Sequence, residues 1–72
     1  MLTKGEYVVG INFNPSNNLL VDRLKKLAAD FIDEVETIPV DYPDQLRLKI
    51  LAQNDMENAA MWAVKAATKK GY

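Results

Sequence analysis

Arg23, Lys25 and Lys26 stand together in this 72-residue chain, Lys65, Lys69 and Lys70 lie close to its end, and the rings of Tyr7 and Phe13 precede the first cationic group. Ammonium and guanidinium groups meet phosphates through charge-assisted hydrogen bonds, and aromatic faces stack on bases, so these residue types are the ingredients of a nucleotide site. Each also has an ordinary reading. Lysines late in a helix complement its macrodipole, the acidic run Asp30, Asp33, Glu34 and Glu36 suits a solvated face, and Tyr7 and Phe13 suit a core. Chemistry beyond binding has little to work with, because histidine and cysteine are absent. The usual general base and the thiolate nucleophile are therefore missing, no glycine-rich phosphate loop occurs, and no carboxylate pair stands apart from the solvated set. The expectation is a binding protein, not an enzyme, with no metal and no cofactor.

Nine basic against ten acidic residues leave a formal charge of −1. That balance opposes duplex nucleic acid as a partner, since such affinity rests on many phosphate contacts. No apolar run approaches the roughly 18 residues of a membrane span, and no basic stretch followed by a hydrophobic core opens the chain, so a cytoplasmic protein without membrane contact is expected. A chain this short buries only about 60–65% of the surface its unfolded form exposes. Without cysteines for disulfides, oligomerisation is the remaining common remedy for marginal stability.

The elements that must position the cations and rings read as all-α, a single domain over 1–72. An antiparallel two-helix hairpin with an extended N-terminal arm is expected, assembled as a compact homo-oligomer. The arm covers 1–14, helix one 15–38 and helix two 43–70. Residues 5–13 contain β-formers interrupted by Gly10, which suits an extended segment. Asn14 can cap helix one with Pro15 at its first position, although Asn17 and Asn18 permit a later start. Leu20, Leu24, Leu27, Phe31 and Val35 then recur every three or four residues, flanked by Val21, Ala28 and Ile32. Pro39 and Pro43 bound a short connection, Asp44 complements the positive end of helix two, and Gly71 supplies its stop.

Helix two is organised around Met56-Glu57-Asn58-Ala59-Ala60-Met61-Trp62-Ala63-Val64-Lys65. Positions 59, 63 and 66 share one face and 60, 64 and 67 the next, an apolar surface wider than one partner helix covers. Trp62 reads as an anchor in the hairpin core or in a subunit interface. Of Asn54 and Asp55, which interrupt the apolar face, one is expected to be buried and one exposed. An antiparallel hairpin brings Arg23, Lys25 and Lys26 to the same end as Lys65, Lys69 and Lys70, with the acidic stretch toward the other end. Tyr7 and Phe13 enter there from the arm.

Arg47, Leu51-Ala52 and the run Met56 to Ala63, together with Leu24-Lys25, Ala28 and Phe31-Ile32 upstream, resemble the signature of the small phage anti-CBASS sponge proteins. The resemblance spans roughly residues 20–70 and departs from the family at Asn54, at Asn58 and in the arm, where the family begins with a short helix. It implies a homohexamer that binds cyclic dinucleotides between subunits, an aromatic ring stacking on a base and a lysine meeting the phosphates. The lysine corresponds to Lys25, with Lys26 the nearest substitute, and the ring to Tyr7 or Phe13. It also implies separate cyclic trinucleotide sites served by a basic residue after the tail signature, most nearly Lys69. Such a protein sequesters the messengers of bacterial anti-phage signalling in the host cytoplasm without cleaving them. The alternative is a small helical oligomeric adaptor that binds a protein partner through helix two; a single-strand nucleic-acid binder is a weaker rival, opposed by the acidic balance.

Overall fold

The computed structural model describes residues 1–15 and 17–70, and these form three helices in the order α1 (Lys4–Val9), α2 (Leu19–Glu36) and α3 (Gln45–Thr68). No strand occurs among the described residues. The hairpin of α2 and α3 is antiparallel, as expected. Gln53 Nε2 donates to the Ile32 carbonyl and Lys49 Nζ to the Glu36 carbonyl, so the chain runs down one helix and back along the other.

The extended arm is corrected to a helix. Thr3 accepts from the Glu6 N–H through Oγ1 while Glu6 Oε1 accepts from the Thr3 N–H at 2.9 Å, a reciprocal capping box that satisfies two otherwise free donors. Gly10 closes the helix in the left-handed conformation at φ 64°, which costs glycine little. The β-forming residues Tyr7, Val8 and Val9 thus sit in a turn and a half of helix, because capping and docking outweigh a propensity that spans about 1 kcal/mol. Helix α1 lies chiefly on α2, with a smaller contact to α3.

Helix α2 begins later than Pro15. Asn18 is its N-cap and accepts from the Leu20 N–H at 2.9 Å, while Asn14 braces that cap by donating to the Asn18 carbonyl and to Asp22 Oδ1. Asn17 adopts φ 54°, a left-handed conformation that asparagine tolerates better than most residues. At its far end α2 stops at Glu36, where the Lys49 ammonium caps the Glu36 and Ile38 carbonyls. Helix α3 starts at Gln45 instead of Pro43, since the Gln45 side chain accepts from the Asp41 and Tyr42 N–H groups and holds the preceding turn. It ends at Thr68, with Lys69 already extended; the stop expected at Gly71 lies outside the described residues.

The core uses one flank of the apolar stripe of α2. Val21, Ala28, Ala29, Ile32 and Val35 are buried, whereas Leu20, Leu27 and Phe31 of the same stripe are exposed. Small and β-branched residues let three helices approach closely, and the larger leucines are left on the outside of a single copy. Asn54 and Asp55 are both exposed, which corrects the expectation that one of them is buried. The buried polar residue there is Gln53, whose amide bonds the Ile32 carbonyl, Glu36 Oε1 and Lys4 Nζ, so no hydrogen-bonding capacity is wasted in the interior.

Candidate functional site

Short helix α1 is held at both ends by charged residues of α2. Asp33 Oδ1 accepts from the Gly5 N–H at 2.7 Å at the positive end of α1. At the negative end Lys25 Nζ donates to the Gly10 carbonyl at 2.9 Å and to the Phe13 carbonyl. Each charge faces the end of the helix dipole it complements. Lys25 is 7% exposed, and its aliphatic stem is covered while its ammonium is met by two carbonyls, of which that of Gly10 also accepts from the Phe13 N–H at 2.9 Å. Nζ also lies 5.4 Å from the centroid of the Phe13 ring, within reach of a cation–π attraction.

Lys25 stands between two cavities. One, of about 260 Å³, is bounded by Val8 and Val9 of α1 and by Glu57, Met61 and Val64 of α3. The other, also about 260 Å³, is bounded by Phe13, Asn14 and Pro15 of the loop and by Val21, Val64 and Thr68. Lys25 and Val64 are common to both walls. The hairpin therefore delivers the end of α3 to the start of α2, as its topology requires.

The five residues expected to bind ligand are placed differently from one another. Phe13 and Lys25 meet, and Phe13 is 72% exposed. Tyr7 is also exposed but projects from α1 and lines neither cavity. Lys26 points to the solvated side of α2, where it pairs with Asp30 at 2.8 Å; that hydrogen bond and the adjacent negative charge raise its affinity for its proton. Lys69 follows Thr68, which lines the Phe13 cavity, and so lies near that mouth in the chain. Thr3, Gly5, Asp33 and Gln53, which position α1, were not anticipated. The Thr3-x-x-Glu6 spacing carries the signal for the cap, whereas nothing local marks Asp33 or Gln53.

A second feature is a groove of about 290 Å³ between α2 and α3, lined by Leu24, Leu27, Phe31, Met56, Ala59 and Ala63. Trp62 and Met61 stand beyond it, 67% and 63% exposed. The hairpin-core role for Trp62 is thereby excluded within one copy. Its ring instead carries the Lys65 ammonium 5.5 Å from its centroid. No helix among the described residues is long and apolar enough to cross a membrane.

An antiparallel helical hairpin with a short helix lying along α2, from Glu36 near the connection to Lys25 toward the open end, and a buried lysine between apolar pockets, defines a small all-helical hairpin domain. The family described as Acb2/Tad1, hairpin domain, matches residues 6–68, and the chain belongs to it, the anti-CBASS sponge family. No curated protein and no solved structure matches the chain.

Proposed function

We propose that the protein binds cyclic dinucleotides, and cyclic trinucleotides at separate sites, and withholds them uncleaved from bacterial anti-phage signalling in the host cytoplasm. The observation that carries this reading is the family match over residues 6–68. The site supports it. Lys25 offers a cation flanked by two apolar pockets, an order that follows the order of a ligand with phosphates between bases, and Phe13 offers a ring at the mouth of one pocket. Each pocket falls below the roughly 300–1,000 Å³ of a small-molecule site, so a second copy completes the enclosure. The exposed groove of Leu24, Leu27 and Phe31 with Met56 and Ala59, and the exposed Trp62, support self-association, with six copies the number the resemblance implies.

Sequestration works by mass action. A tight stoichiometric complex lowers the free messenger below the level its effector needs, and the ligand leaves unchanged. The test is to incubate the purified protein with a panel of cyclic oligonucleotides, isolate the complex, denature it by heat and identify what is released. Intact nucleotide in fixed ratio to protein, with a melting temperature that rises with ligand concentration, is the expected result. Linear or hydrolysed product would make it an enzyme. No bound nucleotide and no shift in melting would favour the adaptor, for which the apolar groove on α2 and α3 would be the docking surface.

A further inference from the structure

The wall of the cavity between α1 and α3 includes an acidic residue that the other described residues leave unengaged. Glu57 is the acidic group in its wall, it is partly buried, and no hydrogen bond or ion pair from the described residues reaches its oxygens. The Lys25 ammonium in the same wall is directed to the Gly10 and Phe13 carbonyls. Val8, Val9, Ala60, Met61 and Val64 supply the remaining surface, which is predominantly apolar. The Glu57 oxygens are open to solvent, and an ionised carboxylate is acceptor-only, with two oxygens able to receive a pair of parallel N–H donors.

The complement of this cavity is a flat group with apolar faces and two adjacent donors on one edge. Among the nucleobases guanine presents that edge, N1–H beside the exocyclic amino group. Adenine sets its amino group between acceptor nitrogens, which face a carboxylate unfavourably. We infer that Glu57 selects guanine at one base position of the bound cyclic dinucleotide, its carboxylate accepting from N1–H and from the exocyclic amino group while Val8, Val9 and Met61 flank the ring. This inference rests on the sequestration reading and deepens it by assigning the base. Lys25, which walls both cavities, then lies on the phosphate side of that base.

The experiment is calorimetry of the full chain with cyclic di-GMP and cyclic di-AMP, for the wild type and for Glu57→Gln, with the size of each protein measured by light scattering. A carboxamide replaces one acceptor by a donor, the pattern that pairs with adenine. The wild type is expected to bind cyclic di-GMP at least tenfold more tightly than cyclic di-AMP. In Glu57→Gln that ratio closes to near one or reverses, while the oligomer keeps its size. A wild-type ratio near one, or an unchanged ratio in Glu57→Gln, overturns the inference and leaves sequestration standing. A variant of smaller assembled size assigns the carboxylate to a contact between copies, which also overturns it. Failure of the wild type to bind either nucleotide, or any other cyclic oligonucleotide, removes the sequestration reading itself.

Discussion

Gly5 rests on the backbone of Ala29 so closely that a Cβ on Gly5 would come within 2.1 Å of the Ala29 carbonyl oxygen. Both residues are buried, and the same glycine donates its N–H to Asp33. The clash is with backbone and cannot be relieved by a rotamer change. Gly5→Ala is therefore expected to lift α1 from α2 at a cost of about 1–3 kcal/mol, the range for overpacking. Thermal unfolding followed by circular dichroism checks this, with amide exchange at residues 4–9 rising more than in α2. An unchanged melting temperature would show that α1 is not docked through this contact.

Gln53 joins all three helices, bonding Lys4 of α1, Ile32 and Glu36 of α2 from its place on α3. Gln53→Leu keeps approximate volume but leaves the Ile32 carbonyl without this side-chain donor and the Lys4 ammonium without one of its two acceptors. A loss of about 1–3 kcal/mol is expected, the range for losing hydrogen bonds of which some reach charged groups. Chemical denaturation measures it. A variant as stable as the wild type would reduce the three-helix junction to a packing contact.

The two long helices were legible because their apolar residues recur every three or four positions over many turns. Helix α1 was not, because Val8 and Val9 favour strands and only the Thr3-x-x-Glu6 cap and the Gly5–Ala29 approach decide otherwise; the second of these is tertiary. The stripe of Leu20, Leu24, Leu27 and Phe31 was visible, but sequence does not divide it between the chain's own core and a surface for something else. Lys25 shows the limit most clearly. Its place in a basic cluster was evident, yet its burial depends on the loop from Gly10 to Phe13 folding back over it.

Glu36 carries a pH dependence whose sign follows from its partners. The Gln53 amide and the Lys4 ammonium both donate to its carboxylate, the first contributing most, and together they hold its pKa below the ordinary glutamate value. A group depressed in the folded state adds stability that is present above its unfolded pKa and is lost as pH falls through the folded value. The melting temperature should therefore fall on acidification below the ordinary glutamate range, and Glu36→Gln should flatten that part of the curve. Identical pH profiles for the two proteins would exclude Glu36 as a contributor.

Trp62 tests the assembly. Its ring is two-thirds exposed in one copy, so Trp62→Ala is not expected to disturb the hairpin core directly. If copies meet over this face, the substitution dissociates them at a cost typical of an interface anchor, about 2 kcal/mol or more. Light scattering across a range of concentrations reads this directly. Equal assembly of wild type and variant would move the interface away from Trp62.

The choice between Phe13 and Tyr7 as the stacking platform is settled by comparing affinity with stability. Phe13 has the stronger geometric case, since Lys25 engages both its carbonyl and its ring beside a cavity, whereas Tyr7 projects from α1 without lining either pocket. Lys25→Ala alone is ambiguous, because it removes the proposed phosphate partner and also the ammonium that meets the Gly10 and Phe13 carbonyls; it should lower both stability and affinity. Phe13→Ala leaves those carbonyls engaged and removes only an exposed ring. It should weaken cyclic dinucleotide binding by about 1–3 kcal/mol, the worth of one base platform, with little change in melting temperature. Tyr7→Ala should change affinity much less if the ligand contacts one copy alone. A large loss for Tyr7→Ala with none for Phe13→Ala would instead place the base against α1 of a neighbouring copy, since Tyr7 lies outside both cavities of its own chain. Calorimetry with one cyclic dinucleotide, paired with thermal unfolding of each variant, separates these outcomes.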